Sequence, residues 1–528
     1  MNKRPTTLSA LVLASLLALI GACHDEPSSI AAAERAVLAM TADQDRAPLT
    51  EQQRVPAPAS QPNIVLIVAD DLGWRDVGYH HSEIRTPVID QLAGEGLTFN
   101  RFYVQPACSP TRAALLTGKS PMRLGILAPL SKNNPTGLPL DEETLAERLK
   151  SLGYQTALTG KWHLGPRNAA YHPNARGFDH FYGHLTGGVG YYNKVHGGGY
   201  DWQRNGITVR DTGYATELVA NEAVDVIHKR DSTRPLFLYA AFGAPHLPNE
   251  APAELIEAYA DITSETRRKH AAMVTALDSA IGDIKTALED EAIDNNTLIW
   301  FMSDNGGLTA SNPLRYLPRP LLSLALRARL GFSPTAPFVD FVQTNLRDGG
   351  ADNWPLSGSK QSVGEGGVRV PAFIYWPGQF SAQRYHYMAT IQDVMPTLLE
   401  VARDTARYSA FDGASLWSAL KTNTPMPPRE YIIQTRQFAE INAVYRYPYK
   451  LIEDGNSAQL YDLEADPLER HNIVSKKPNI TASLSAYLAN FPRGETIALP
   501  LKDIVADPDY FGGTEDRLPW TEQQLVVD

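Results

Sequence analysis

Two pairs of oxygen-bearing side chains stand directly after apolar segments of this sequence. Asp70-Asp71 follows residues 63–69 (NIVLIVA), and Asp304-Asn305 follows residues 297–303 (TLIWFMS). Adjacent carboxylates repel each other unless a cation lies between them, and hard divalent ions such as Ca²⁺ prefer oxygen ligands. A solvated turn explains either pair when it is considered alone. When both pairs end strands, one shared metal site explains them as well as two solvated turns do.

A cysteine lies at the predicted start of a helix. In residues 105–119 (QPACSPTRAALLTGK), Cys108 comes just before Pro110, a residue that suits the first helical turn. A thiol at a helix N-terminus, with Arg112 and Lys119 nearby, is expected to be acidic and exposed. The alternative is a buried structural cysteine, the commoner fate of a free thiol. The polar and cationic neighbours favour the reactive thiol.

Three more positions carry groups that bind anions or transfer protons. In residues 160–165 (GKWHLG), alternation places Lys161 and His163 on one face of an extended segment, so that a cation lies beside a titratable base. His246 follows the apolar segment 235–241, and Lys360 lies in a glycine-rich stretch whose backbone can approach a bound anion. Each of these patterns is common by chance when it stands alone.

Taken together, the motifs resemble the formylglycine-dependent sulfatase family. Residues 108–112 (CSPTR) match the family's Cys-x-Pro-Ser/Thr-Arg signature, and residues 113–119 match its extension. Further matches follow in the family's order between residues 63 and 472: DDLGW at 70–74, GKWHLG at 160–165, DNGG at 304–307, residues 358–371, and YDL at 461–463 with DP at 466–467. The segments DDLGWRDVGYH, GFDHFYG and NWPLSGSKQSVGEGGVRVP most resemble arylsulfatase B (N-acetylgalactosamine-4-sulfatase).

The resemblance implies a modified nucleophile and one bound metal ion. It implies that a formylglycine-generating enzyme, or an anaerobic sulfatase-maturating enzyme, converts Cys108 to formylglycine (3-oxoalanine), whose hydrated aldehyde attacks sulfur. It also implies a Ca²⁺ site formed by the modified residue 108 together with four side chains, Asp70, Asp71, Asp304 and Asn305.

The resemblance also assigns roles to the cationic and titratable side chains. Arg112 would hold and help to ionise the hydrated aldehyde, and His163 would take a proton from its second oxygen as sulfate leaves. His246 or Lys360 would protonate the leaving alcohol. The negative charge of the sulfate group would be met by a set of substrate-binding residues, Lys119, Lys161, His246 and Lys360.

The function that these residues imply is hydrolysis of sulfate esters, either aryl sulfates or sulfated saccharides, with exo action on GalNAc-4-sulfate-like ends as the finer expectation. One alternative is a phosphodiesterase or phosphonate hydrolase of the same superfamily, which a second metal site would favour. Another is an inactive glycan-binding lipoprotein, which would follow if Cys108 is never modified. The net charge of −11 gives no sign of a basic face for nucleic acid.

Apolar segments that resemble strands alternate with segments that resemble helices. Strands are expected at 63–69, 155–160, 235–241 and 297–303, with helices at 86–96, at 141–152 capped by Asp141, and at 265–289. This alternation predicts an α/β fold with a mostly parallel sheet between helices, in which ligands bind at the carboxyl ends of the strands. The family resemblance implies the alkaline-phosphatase-like version of this sandwich, with a large mixed sheet.

The N-terminal residues predict export. Residues 1–22 combine a cationic start with an apolar stretch and read as a signal peptide, and Cys23 follows Ile20-Gly21-Ala22 as in a bacterial lipoprotein. We therefore expect a lipid on Cys23, a flexible tether over 23–60, and a periplasmic or outer-membrane lipoprotein. A plain secretory signal is the alternative.

The expected catalytic domain spans residues 61–425, and a small α+β subdomain spans 426–528, with short strands at 431–452 and 458–463 and a helix near 477–490. An apolar and basic insert at about 312–350 interrupts the catalytic domain. It is expected to be a lid or rim of the substrate pocket, an amphipathic surface toward the membrane, or a packed surface excursion.

Overall fold

The structure is a computed structural model that describes residues 60–196, 199–310, 313–404, 411–436, 440–455 and 457–506. The predicted signal peptide, Cys23 and nearly all of the tether lie outside the described residues, as do residues 507–528 of the expected C-terminal subdomain. Within the described ranges, no helix is both long enough and apolar enough to cross a membrane.

Sixteen strands are found in the described residues. In chain order they are β1 (Asn63–Ala69), β2 (Leu97–Tyr103), β3 (Gln155–Lys161), β4 (His180–His184), β5 (Val195–His196), β6 (Gly199–Tyr200), β7 (Gln203–Arg204), β8 (Ile207–Thr208), β9 (Leu236–Ala241), β10 (Thr297–Ser303), β11 (Ala372–Tyr375), β12 (Gln383–Thr390), β13 (Tyr431–Thr435), β14 (Ile441–Arg446), β15 (Tyr449–Glu453) and β16 (Ala458–Asp462).

Fourteen α-helices connect or follow these strands in the same ranges. They are α1 (Pro87–Glu95), α2 (Cys108–Thr117), α3 (Pro121–Leu124), α4 (Leu145–Ser151), α5 (Ala215–Lys229), α6 (Ala253–Glu257), α7 (Glu265–Asp290), α8 (Arg319–Leu330), α9 (Ala336–Asp348), α10 (Glu365–Val368), α11 (Val394–Val401), α12 (Trp417–Thr422), α13 (Pro478–Asn490) and α14 (Leu501–Ala506).

Ten strands form one sheet in the order β12-β2-β11-β10-β1-β9-β3-β4-β7-β8. Its centre is parallel, because β10, β1, β9, β3 and β4 pair in one direction. The pairs β10–β11, β11–β2, β4–β7 and β7–β8 are antiparallel. The expected large, mixed and mostly parallel sheet of an alkaline-phosphatase-like fold is thus confirmed.

The central strand β1 explains why this sheet lies in the middle of the molecule. All seven of its residues are buried. Ile64, Leu66 and Val68 face one core together with residues of α2, α4 and α11, whereas Val65 and Ile67 face a second core with residues of α1, α5 and α7. Alternating side chains of a strand point to opposite faces, so a continuous apolar run is buried only when helices cover both faces.

The C-terminal region forms a separate four-stranded antiparallel sheet in the order β13-β14-β15-β16, and side chains of α13 pack on it. A buried ion network joins this sheet to the main domain. The Nζ of Lys450 on β15 lies 3.1 Å from Glu365 Oε1 and 2.6 Å from Glu469 Oε1. Glu365 begins α10, in the glycine-rich stretch that carries Lys360. The small sheet therefore fixes a segment that leads to the predicted site.

One local expectation differs from the structure. The helix expected from residue 141 begins at Leu145, and Thr144 rather than Asp141 caps it, because Thr144 and Glu147 form a reciprocal capping box. The insert contains two helices, α8 and α9, whose base is closed by a β-bridge between Thr309 and Gly350.

Replacing Lys450 with methionine should destabilise the protein. The substitution removes the ammonium group that pairs with both Glu365 and Glu469, and leaves Glu365 with the more distant Arg369, at 3.9 Å. Breaking a buried ion pair typically costs about 3–5 kcal/mol. The free energy of unfolding, measured with urea and tryptophan fluorescence, should fall by about that amount. Lys229→Met is the matched control, because the Lys229 side chain is 73% exposed in its pair with Asp225. A loss no larger than the control's would contradict a structural role for the network.

Candidate functional site

The predicted site residues meet at the carboxyl end of the parallel strands. Asp304 and Asn305 follow β10, Asp70 and Asp71 follow β1, His246 follows β9, and Lys161 ends β3. These four strands are neighbours in the sheet. Residues that are far apart in sequence therefore lie side by side, where ligands of open α/β sheets bind.

The oxygen-bearing side chains form one buried cluster. The Asn305 amide nitrogen donates to Asp71 Oδ1 at 2.6 Å, and the Asp71 backbone N–H lies 3.4 Å from Asp304 Oδ1. Ligand atoms of Asp70, Asp304 and Cys108 all lie within 4.8 Å of one another. Asp71 has φ 67°, in the left-handed region, a conformation of non-glycine residues that is concentrated at functional sites.

Three cations balance the three carboxylates. Lys161 Nζ lies 2.5 Å from Asp70 Oδ2, Arg112 Nε lies 3.0 Å from Asp304 Oδ2, and Lys360 Nζ lies 2.8 Å from Asp71. The side chains of Lys161, Arg112, Asp70 and Asp304 have no exposed surface. In such a dry environment, charge–charge interactions are much stronger than in water.

This environment shifts the pKa values of the Asp70 and Asp304 carboxyl groups in opposite directions. Burial, followed by the neighbouring Asp70 carboxylate, raises the pKa of Asp304 to about 7. Burial acts in the same direction on Asp70, but the combined charges of Lys161, His246, Arg112 and Lys360 outweigh it and hold the pKa of Asp70 well below its usual range.

The donor set fits a divalent cation. Asp70 Oδ1 and Asn305 Oδ1 are both buried and accept no hydrogen bond from protein groups. An unpaired buried oxygen is costly, and a hard cation satisfies such oxygens directly. The two side chains already use their other polar atoms, Asp70 Oδ2 toward Lys161 and Asn305 Nδ2 toward Asp71. Asp70, Asp71, Asp304 and Asn305 are therefore suitable ligands for one ion.

Cys108 is the first residue of α2, as the sequence predicts, but it is only 2% exposed. Burial raises the pKa of its thiol, and the Asp70 and Asp304 carboxylates act in the same direction, against the charges of Lys161 and Lys360. The expectation of an acidic, exposed thiol is wrong, because every residue of α2 is buried. As a plain cysteine, this side chain would be a weak nucleophile, since the thiolate is the reactive form.

His163 is a neutral base with a defined tautomer. Its Nε2 lies 3.0 Å from the Leu130 carbonyl oxygen, which can only accept, so Nε2 carries the hydrogen. Nδ1 is buried and has no protein partner. Burial, with help from Lys161 and Arg112, lowers the pKa of His163 well below its usual value. The lone pair on Nδ1 is therefore available to accept a proton.

The route by which His163 reaches the site differs from the prediction. The strand ends at Lys161, and His163 has φ 59° in the left-handed region. Strand alternation therefore does not direct its side chain. Ser109, which the sequence analysis did not single out, donates to the His163 carbonyl oxygen at 2.9 Å. The feature of the sequence that could have pointed to Ser109 is its position directly after Cys108.

His246 lies beside Asp71, and one of its two ring nitrogens is hydrogen-bonded to a backbone carbonyl oxygen. Its Nδ1 lies 2.7 Å from the Leu247 carbonyl oxygen, and its Nε2 lies 3.7 Å from Asp71 Oδ2. Burial, followed by the charge of Lys360, lowers the pKa of His246. Lys360 shows the opposite behaviour, because the Asp71 carboxylate outweighs burial and raises its pKa. Lys360 thus carries its proton at neutral pH, and Nε2 of His246 faces the cluster.

Lys119 follows the C-terminus of α2, and its ammonium group pairs with Glu142. A role for Lys119 in substrate binding stays a prediction.

A second residue that the sequence analysis missed is Asp76. This buried carboxylate accepts from the Gly73 backbone N–H at 2.9 Å and lies 2.8 Å from His270 Nε2, so it anchors the loop after Asp71 to α7. Its place five residues after that acidic pair was the only clue.

The fold is alkaline-phosphatase-like, and the cluster holds buried oxygen atoms that are suited to a metal ion. A model of the family described as Sulfatase matches residues 62–405, about two thirds of the chain, and the chain belongs to this family. Membership makes it a sulfuric ester hydrolase, and the resemblance found in the motifs is confirmed at the level of the family.

Relatives agree with this assignment. Arylsulfatase J of Mus musculus is 31% identical over 532 residues, which cover 89% of this chain and 82% of the relative. N-acetylgalactosamine-6-sulfatase of Homo sapiens is 34% identical over 383 residues, covering 68% of this chain and 66% of the relative. The solved structure of Ps i-CgsB in complex with k-i-k-neocarrahexaose is similar with a TM-score of 0.73, 29% identity and coverage of 86% and 100%. The closer likeness to arylsulfatase B stays a prediction.

Calcium should stabilise the folded protein. A ligand that binds only the folded state adds about 2.7 kcal/mol at a concentration 100 times its Kd, so the thermal midpoint of EDTA-treated protein should rise when Ca²⁺ is added. The increase should be much smaller in Asp304→Asn, which lacks one anionic ligand. Asp225→Asn is the control and should keep the full increase, since Asp225 is an exposed residue of α5. An equal increase in all three proteins would contradict the proposed ligand set.

Proposed function

We propose that this protein hydrolyses sulfate esters of saccharides, using a formylglycine made from Cys108 and one Ca²⁺. The observation that carries the proposal is the position of Cys108 at the N-terminus of α2, within 4.8 Å of ligand atoms of Asp70 and Asp304. Three cations pair with the carboxyl groups of this cluster, so that a bound divalent ion would give the site the net positive charge that a sulfate group requires.

The need for a modified residue follows from the environment of Cys108. Burial and two nearby carboxylates disfavour a thiolate, whereas a hydrated aldehyde offers two hydroxyl groups at the same position. One can bond to sulfur and the other can lose a proton to release sulfate. An unmodified serine or cysteine lacks the second hydroxyl group and could not drive release in this way.

The charge balance of the site explains the proposed preference for an anionic substrate. The site pairs three carboxyl groups, Asp70, Asp71 and Asp304, with three cations, Lys161, Arg112 and Lys360. The charges balance when Asp304 is ionised, the form that a metal ion would bind. When bound, the calcium ion would add two positive charges and act as a Lewis acid on the sulfate oxygens. Fixed cations in a dry site stabilise the charge that develops as the S–O bond breaks, commonly the largest catalytic contribution.

The protons move through the two histidines and Lys360. One hydroxyl group of the hydrated aldehyde bonds to sulfur and releases its proton as the S–O ester bond breaks. The electron pair of that bond stays on the ester oxygen, which takes a proton from the Lys360 ammonium group or from the protonated form of His246, and the released proton restores the donor. Both side chains lie beside Asp71. In the second half of the reaction, Nδ1 of His163 accepts a proton from the remaining hydroxyl group as sulfate leaves. Net uptake of one water gives the alcohol and hydrogen sulfate.

Saccharide esters are proposed as substrates because a solved relative, Ps i-CgsB, is in complex with k-i-k-neocarrahexaose and another relative is named N-acetylgalactosamine-6-sulfatase. Exo action on GalNAc-4-sulfate-like ends is the finer proposal, which rests on the motifs. A panel of sulfated monosaccharides and oligosaccharides tests it. The panel should include matched phosphate esters, because a preference for phosphate would favour the phosphodiesterase alternative.

We also propose that the mature chain is an exported lipoprotein of the bacterial cell envelope. Support comes from residues 1–22 and from Cys23, as a signal peptide followed by a lipidation site. A lipid anchor would hold the enzyme at a membrane, where it would meet large extracellular glycans or their fragments. Fractionation of cells that express the full chain or its Cys23→Ser variant tests this proposal.

Replacing Cys108 with alanine should abolish turnover without unfolding the protein. The substitution removes the group that is converted, while the removal of one buried sulfur leaves the sheet and its ion pairs in place. Hydrolysis of 4-nitrophenyl sulfate should fall to background, and the circular dichroism spectrum should stay unchanged.

Mass spectrometry of the peptide containing residue 108 is the companion measurement for the wild-type protein. We expect a fraction that has lost sulfur and gained an aldehyde. An active Cys108→Ala variant, or an active wild type in which the thiol is entirely intact, would contradict the assigned nucleophile.

A further inference from the structure

The segment that follows β4 bridges the loops that carry the two site histidines. The Leu185 carbonyl oxygen accepts from the His163 backbone N–H at 3.1 Å. Six residues later, the Tyr191 hydroxyl oxygen lies 2.8 and 2.9 Å from the carbonyl oxygens of Gly243 and His246, which share its one hydrogen. β4 is also the parallel neighbour of β3. The residues between Leu185 and Tyr191 are therefore tied to the backbone of both histidines.

Two consecutive glycines in this segment each face one imidazole ring. A Cβ atom added to Gly187 would lie 2.8 Å from Cε1 and 2.9 Å from Nε2 of His163. A Cβ atom added to Gly188 would lie 3.1 Å from Nδ1 and 3.2 Å from Cε1 of His246. The first distances are too short for any side chain, and the second are tighter than ordinary packing. Each ring thus rests against bare backbone.

The requirement for glycine at these two positions concerns space, not backbone conformation. Neither Gly187 nor Gly188 is among the residues with positive φ, whereas Gly183 within β4 is, at 143°. Neither position therefore requires glycine for a left-handed backbone conformation. Only the methyl group would collide, so the effect of a substitution reports directly on the neighbouring ring.

The segment cannot easily move away from an added methyl group. The buried Asp201 carboxylate accepts from the Leu185 backbone N–H at 3.1 Å, from the Thr186 backbone N–H at 2.9 Å and from the Thr186 hydroxyl group at 2.5 Å. These three bonds fix the chain immediately before Gly187. An added methyl group would therefore displace the imidazole ring more readily than the backbone.

We propose that Gly187 and Gly188 are positioning residues that set the two histidines independently, Gly187 for His163 and Gly188 for His246. This inference rests on the proposed function for its kinetic consequences. A displaced His163 loses the Nε2–H bond to Leu130 that fixes its tautomer, and so affects sulfate release. A displaced His246 affects the earlier cleavage of the ester.

The two substitutions should have different kinetic signatures. The constant kcat/KM reports steps up to the first irreversible one, which is ester cleavage, whereas kcat also includes sulfate release. Gly187→Ala should therefore lower kcat by about tenfold or more with a much smaller effect on kcat/KM, since loss of general acid–base catalysis typically costs 10²–10⁴-fold. Gly188→Ala should lower kcat/KM by about tenfold.

The test is a double-mutant cycle on the full-length protein with 4-nitrophenyl sulfate. Gly187→Ala should have no further effect in a His163→Ala background, because the shortened side chain leaves room for the methyl group, and Gly188→Ala should have none in a His246→Ala background. The crossed pairs should be additive. Gly94→Ala is the control and should match the wild type, because a Cβ atom there meets nothing within 4 Å.

Crystal structures of the two glycine variants give a readout that does not depend on activity. Each should show one displaced imidazole ring and one unmoved ring. Rings that stay in place in both variants would overturn the inference even if the protein proves not to be a sulfatase. Equal losses of kcat and kcat/KM in both variants, or full additivity within the matched pairs, would also overturn it. If the wild type has no sulfatase activity but the glycine variants show the expected ring displacements, the proposed function is refuted and the inference about the glycines stands.

Discussion

The structure depends on the pairing of buried carboxylates with buried cations at one edge of a parallel sheet. Asp70 and Asp304 end neighbouring strands and lie in a site without exposed surface, where each meets a fixed cation, Lys161 or Arg112. Removing one member of such a pair leaves an uncompensated charge and typically costs about 3–5 kcal/mol. The same arrangement leaves two oxygens, Asp70 Oδ1 and Asn305 Oδ1, without protein donors. The cluster is thus satisfied in charge but not in coordination, which is why it is suited to a metal ion.

The rest of the fold brings separate segments to this cluster. Strands β10, β1, β9 and β3 supply the carboxylates, His246 and Lys161, while α2 supplies Cys108 and Arg112. The stretch with Lys360 packs against the segment after β10, and the Lys360 backbone N–H donates to the Gly307 carbonyl oxygen at 3.1 Å. Close approach is possible there because a Cβ atom at Gly306 would lie 1.9 Å from the Gly366 carbonyl oxygen. The C-terminal sheet then holds this stretch through Lys450 and Glu365.

The sequence predicted the sheet and the place of the site because both depend on local patterns. A buried strand such as 63–69 is a continuous apolar run, and polar residues directly after it must lie at its carboxyl end. Burial of Cys108 could not be predicted, because α2 contains Ser, Thr and Arg and is enclosed by residues distant in sequence. The cap of α4 was recoverable from the Thr144–Glu147 spacing, which is stronger evidence than a lone Asp141. The roles inferred for Gly187 and Gly188 depend on distances to rings that no sequence pattern encodes.

The central claim is that one divalent ion completes a cluster whose protein groups already balance one another. A crystal structure of the protein grown with Ca²⁺ tests it most directly. The account predicts one ion bound by oxygens of Asp70, Asp71, Asp304 and Asn305, at about 2.3–2.6 Å as is usual for calcium, and adjacent to residue 108. Crystals that contain calcium elsewhere, while Asp70 Oδ1 and Asn305 Oδ1 remain without a ligand, would contradict it.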